Sequence, residues 1–411
     1  MLRRLFQTAR QLHRQPNFTG LLASTFALGT AFAFAAPFMS KWGTEEVGLT
    51  PTQFSLFMTM TSVSAMLVST ALGRLSDTTF SRRNMLIVGS VGGLLGFTGY
   101  ALVRDPLWLV LIGCSLHALA SICFAQLFSH VREVYDRREE ASQEGSGFIM
   151  SVVRVCFSFS WTVGPALGSA MLLAFGFRGL YLAAAALYGA FLVGVLFFVP
   201  HRRRERAPQG QPRQAFAKTL LRPDLLLCFL TFAAVFAANA INMMNLPLAI
   251  TRSLGGTERD FGIVFGIGPL VEIPLMLWFG HLAAKGFQLP LIKLGVGITL
   301  LYFLGLAAAS APWHVYLLQC LNGASFAILT NVAILFFQDL LPRQLGLATS
   351  IFSNSQAAGS LVGMFSFGFI VEAVGHQNAF LVCAALTGVA LALILCYRTV
   401  AERTESAPVC C

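Results

Sequence analysis

Few residues in this chain carry chemistry, and most of those stand inside apolar runs. Arg154 lies in SVVRVCFSFSWTVGPALG, followed by Ser158, Trp161, the pair Gly164–Pro165, and Gly168. Glu272 is the one acid clearly inside an apolar run, in GPLVEIPLM, between Pro269 and Pro274. Asn239, Asn242 and Asn245 share NAINMMN, and further single polar residues are His117, Gln126, Gln319, Asn322, Asn354 and Gln356. No nucleophile–base set or metal-ligand spacing occurs, and the nine cysteines form no CxxC pair. Catalysis, a resident metal and a bound cofactor are therefore not expected.

The residue types suit recognition of a neutral polar molecule. An arginine presents five directed N–H donors. Amides both donate and accept, which suits hydroxyl-rich compounds. On a helix, Arg154, Ser158, Trp161 and Pro165 share one face, so a tryptophan lies two turns from the guanidinium. Trp161 could stack on the apolar face of a sugar ring. Ser160, Gly164 and Gly168 form an adjacent stripe of small residues suited to close helix packing. Three roles stand open for Arg154: substrate contact in a water-filled cavity, an internal ion pair with an acid such as Glu272, or snorkelling to the nearer membrane face. Glu272, flanked by two prolines that should break local backbone bonds and bend the helix, can switch between charged and neutral forms as access to water changes. Proton coupling requires such a group. Glu133 and Asp77 are the rival candidates.

The surrounding elements follow from composition. The chain of 411 residues is 56% hydrophobic and only 11% charged, against about a quarter charged in soluble domains. That excludes one large soluble core and implies a polytopic membrane protein. About 20 apolar residues cross a bilayer as a helix. Such segments fall at 18–40, 52–73, 84–103, 107–130, 147–172, 176–199, 223–249, 260–282, 289–309, 313–337, 346–371 and 378–397. The expected fold is thus all-α, with twelve transmembrane helices.

Charge placement orients them. Of 28 Lys and Arg, 22 fall in alternate connections that include both termini, five fall in the others, and the last is Arg154. The bias predicts that both termini are cytoplasmic. It also accounts for the net charge of +10 without nucleic acid. The longest connection, HRRRERAPQGQPRQAFAKTLLRP, divides six spans from six. The expected organisation is a bundle over 1–200, a basic cytoplasmic linker over 201–222 and a second bundle over 223–411. Such a 6+6 layout is that of an alternating-access transporter. No nucleotide-binding loop is present, so ATP is not the expected energy source, and a monomer in the lipid bilayer is the expected state.

Two loops carry a family resemblance. GRLSDTTFSRR resembles the signature loop of the major facilitator superfamily through Gly73, Asp77, Arg82 and Arg83, with Phe80 where a later glycine is usual. GHLAAKG sits in the equivalent place of the second half and keeps Gly280, Lys285 and Gly286, with Ala284 in place of the acid. The resemblance implies a latch at Asp77 that holds one facing of the transporter. The run AQLFSHVREVYD and the stretch from Arg154 to Pro165 resemble the bacterial sugar efflux transporters through Gln126, Leu127, Phe128, Arg132, Glu133, Arg154, Ser158, Trp161, Gly164 and Pro165. The activity implied is proton-driven export of small sugars or glycosides across a bacterial inner membrane. Gly164–Pro165 is similar to a fifth-helix motif of exporters. Export of drugs or metabolites, or sugar uptake by symport, are the alternatives.

Overall fold

The computed structural model describes residues 18–78, 81–136, 146–199, 222–341 and 344–405, and their side chains except at 73–78, 132–136, 146–151, 154 and 398–405. Among the described residues the backbone is helical almost throughout and no strand occurs. Ten helices are long and apolar enough to cross a membrane. They are α1 (Phe18–Glu46), α2 (Pro51–Thr78), α3 (Arg82–Leu102), α4 (Pro106–Val131), α5 (Ser146–Phe198), α6 (Pro223–Arg252), α7 (Glu258–Ala284), α8 (Gln288–Ala308), α9 (Pro312–Leu340) and α10 (Leu345–Glu405).

Local chemistry explains the helix ends. Ser81 starts α3 by accepting from the Asn84 amide at 3.3 Å. Asp105 accepts from the Leu107 and Trp108 amides at 2.9 and 3.2 Å, one residue before Pro106. These orphan donors have no partner within the helix, and a short acceptor side chain satisfies them. Thr257 and Asp260 close a capping box on α7. At the other end of α7, Lys285 is the C-cap and Gly286 takes φ +90°, the left-handed conformation that lets the chain reverse.

Three differences from the expected spans have physical causes. Helices α5 and α10 hold 53 and 61 residues. At 1.5 Å per residue a straight helix of that length would be roughly 80–90 Å, far beyond a hydrocarbon core of about 30 Å. Each instead leaves helical geometry at one glycine, Gly176 (φ 63°, ψ −171°) and Gly375 (φ 82°, ψ 166°). Those glycines lie where the expected fifth and sixth, and eleventh and twelfth, spans part. The first expected span ends at 40, yet α1 continues through a 3-10 turn at Ala36–Phe38 and a π-helical turn at Trp42–Glu46. That extension carries Lys41, expected in a loop, into a buried position. The prolines beside Glu272, expected to break local backbone bonds and bend their helix, lie inside α7 without ending it.

The chain separates into two compact units, one of Met1–Phe38 and Met60–Pro208, the other of Met39–Thr59 and Gln209–Cys411. In the first, α1 packs on α5 through the small stripe. Ser160 donates to the Phe26 carbonyl at 3.2 Å. A β-carbon on Gly164 would lie 2.6 Å from that of Ala33, and one on Gly168 would lie 2.7 Å from the Phe34 carbonyl. In the second, Gly359 and Gly363 of α10 meet α6, where β-carbons would lie 2.2 and 2.3 Å from the carbonyls of Ala233 and Ala237. Large apolar side chains such as Met66, Phe197 and Leu277 are exposed, as a lipid-facing surface requires.

Candidate functional site

The polar residues separate by unit. In the first unit, the helical backbone from Ser146 to Gly176 puts Arg154, Ser158, Trp161 and Pro165 on one face. Ser158 and Trp161 are half-buried. The side chains of Arg154, Asp77 and Glu133, and Gly73, lie outside the described residues, so their expected roles carry over from the sequence alone. His117 ends a π-helical turn, Gly113–His117, inside α4. Its ring meets Phe97 edge-on at 5.2 Å and lies 5.5 Å from Tyr100, and its buried Nδ1 has no hydrogen-bond partner among the described residues. Gln126 is buried and accepts from Arg82 Nη1 at 3.5 Å. Arg83 donates to the Leu196 carbonyl at 2.8 Å. From the start of α3, both arginines therefore bond other helices of their own unit.

In the second unit, four side chains from three helices join in one relay. Asn242 (α6) and Gln319 (α9) each donate an amide N–H to the Tyr302 hydroxyl (α8) at 3.2 Å. Asn322 donates to Gln319 Oε1 at 2.9 Å. Tyr302 is fully buried, and Asn242 is 6% exposed. The phenol fixes the orientation of the two amides that bond it. The amide oxygens of Asn242 and Asn322 are left buried without hydrogen-bond partners among the described residues. An unmet buried acceptor is costly, so such oxygens are primed for a hydroxyl or amine donor.

Glu272 borders this relay. Gly268 and Gly323 bring α7 and α9 into near backbone contact, since a β-carbon on Gly323 would lie 2.5 Å from the Gly268 carbonyl and 3.3 Å from the Glu272 amide. Glu272 is one helical turn beyond Gly268, and Asn322 adjoins Gly323. The backbone of Glu272, a half-buried residue, thus belongs to the same tightly packed crossing.

Other expected contacts fall elsewhere. Asn239 donates to the Val235 carbonyl of its own helix at 3.1 Å. Asn245 donates to the His376 carbonyl at 2.7 Å, and its Oδ1 meets His376 Nδ1 at 2.8 Å, so it secures the turn after Gly375. Asn354 is exposed and Gln356 half-buried. In the second loop, Gly280 lies beside Asn331, whose Nδ2 donates to the Met276 carbonyl at 3.2 Å. Tyr302, the hub of the relay, was not singled out from the sequence. Its only signal there is a tyrosine within an apolar span, which is also how a core aromatic looks.

This arrangement defines a multi-span helical membrane protein with an uncharged polar site between helices and an acid beside it. The model of the Major Facilitator Superfamily matches residues 21–318 and 227–409. The chain is 30% identical over 386 residues to a putative sugar efflux transporter of Deinococcus radiodurans, covering 92% of this chain and 97% of that one. It is also 30% identical over 385 residues to sugar efflux transporter A of Dickeya chrysanthemi, covering 92% and 95%. The crystal structure of the nucleoside transporter NupG superposes with a TM-score of 0.77 at 15% identity, covering 93% of this chain and 98% of that one. The chain belongs to the Major Facilitator Superfamily, and within it is similar to the sugar efflux transporters.

Proposed function

We propose that this protein is a twelve-span secondary transporter that exports small sugars or glycosides in exchange for protons. The observation that carries the reading is the Asn242–Tyr302–Gln319–Asn322 relay, an uncharged set with two buried amide oxygens that lack donors, which suits a hydroxyl-rich ligand. The relatives named as sugar efflux transporters support the same substrate class. Twelve spans follow if α5 and α10 are each two spans joined at Gly176 and Gly375. Both termini are then cytoplasmic, by the placement of basic residues, and the working state is a monomer.

In this reading Asn242, Gln319 and Asn322 of the second unit contact the substrate, and Arg154, Ser158 and Trp161 are the contacts supplied by the first unit. Glu272 binds and releases the coupled proton. The chain needs no bound cofactor, and the proton gradient supplies the energy. Flux of labelled sugars and cationic drugs in sealed vesicles, with and without a pH gradient, tests this. Sugar movement that stops accumulating when the gradient collapses is the expected result. Drug flux without sugar flux would overturn the substrate class, and accumulation indifferent to the gradient would overturn antiport.

A further inference from the structure

Gly268 of α7 is a glycine that neither packing nor backbone geometry requires. It is buried inside a helix, where glycine is less favourable than alanine because it loses more conformational freedom on folding. Its partner at the crossing, Gly323, is fixed by contact. A β-carbon there would lie 2.5 Å from the Gly268 carbonyl and 3.1 Å from the Val271 β-carbon. Gly268 is the opposite case. Apart from its own helix backbone, a β-carbon on it would meet two atoms within 4 Å among the described residues, Gln319 Oε1 at 3.4 Å and Asn322 Nδ2 at 3.8 Å. Both are ordinary contact distances, so an alanine fits.

The proline that follows does not require glycine either. A proline ring crowds the β-carbon of the residue before it, which disfavours the helical conformation there. Ile273 holds the same place before Pro274 in the same helix, and it stays helical with a β-branched side chain. Nor is Gly268 among the glycines with left-handed φ, which in the described residues are Gly48, Gly176, Gly255, Gly286 and Gly375.

What the glycine leaves is room, and that room borders the relay. Its two neighbours are the donor and acceptor of the Asn322–Gln319 hydrogen bond. Asn322 also carries one of the two buried amide oxygens without a hydrogen-bond partner among the described residues, and Asn242, 6% exposed, carries the other. A missing side chain beside unmet acceptors suits a ligand ring that lies against α7 and donates its hydroxyls to the amides. A larger side chain at 268 would take the place of that ring and leave the acceptors unmet. We propose that Gly268 is a specificity-determining residue that sets the largest sugar the relay admits. The proposal rests on the sugar-transport reading above and adds a size limit to it.

Equilibrium binding of xylose, glucose and maltose, in order of size, to the full chain tests this with Gly268→Ala and Gly268→Val. The loss should grow with sugar size, because steric exclusion depends on the volume of both partners. For the smallest sugar that wild type binds it should stay under about twofold, and for the largest it should reach about threefold with alanine and roughly tenfold or more with valine. A merely structural role would weaken all the sugars alike. Equal losses across the panel, or unchanged affinities in variants folded by their thermal transition, would overturn the size limit. Should valine prevent folding, the gradient in the alanine variant decides. Wild type that binds none of the three would instead overturn the sugar reading itself.

Discussion

The two helix pairs α1–α5 and α6–α10 solve the same packing problem with different tolerances. Both bring helices together through glycines four residues apart, Gly164 and Gly168 in one and Gly359 and Gly363 in the other. On α10 both glycines oppose backbone carbonyls, at 2.2 and 2.3 Å from a hypothetical β-carbon. On α5, Gly164 opposes the methyl of Ala33 at 2.6 Å, and Gly168 opposes a carbonyl at 2.7 Å. An alanine methyl is fixed to its backbone and cannot rotate away, so both seams resist a side chain, and the shorter approaches make α6–α10 the tighter one. That pair carries the amide relay on its α6 side. The α1–α5 pair carries the arginine face on a looser seam that also contains Pro165. The tighter pair thus holds an amide of the relay, and the slightly wider one holds the helix of Arg154 and Trp161.

The largest effect should come from the chemistry that both halves serve. Glu272→Gln should abolish pH-driven accumulation while sparing sugar exchange at equal pH, measured by counterflow in vesicles. Accumulation that survives would move the coupling acid to Glu133 or Asp77. Arg154→Ala should next weaken sugar binding by at least tenfold while the protein still folds, read by equilibrium binding. Unchanged affinity would leave substrate recognition to the second unit alone.

Packing sharpens the contrast. Gly359→Ala should cost about 1–3 kcal/mol, the usual range for overpacking where neighbours cannot yield, and Gly164→Ala somewhat less because its contact is longer. Thermal unfolding in detergent ranks them, and a reversed order would break the comparison between the seams. Asn354→Ala should be nearly silent, within about 0.5 kcal/mol, as expected for an exposed group. A large transport defect there would place that surface in the substrate path.

Much of this was legible in the sequence for physical reasons. Hydrophobic length announces spans because a bilayer tolerates little else. The small stripe at Ser160, Gly164 and Gly168 announces a helix contact because glycine has no other use at that spacing inside an apolar helix. The turns at Gly176 and Gly375 were legible as span boundaries, but not as interruptions within continuous helices. Partners across the chain were not legible. Lys41 pairs with Glu258, 217 residues away, and no local pattern links them. The three asparagines of NAINMMN looked alike, yet each i,i+3 step turns about 60° around the helix. Only Asn242 faces Tyr302, while Asn239 bonds its own helix and Asn245 holds the turn at His376.

The central claim is that the amide relay binds a sugar through its free oxygens. Equilibrium binding of a labelled sugar to the full chain, compared with Tyr302→Phe and with the double change Asn242→Leu/Asn322→Leu, tests it most directly. Losing the phenol hydroxyl strands two buried amide donors, worth about 1–3 kcal/mol, and should weaken binding by roughly tenfold or more. The double change should remove measurable binding. Sugar affinity equal to wild type in both proteins, each folded as judged by its thermal transition, would contradict the account.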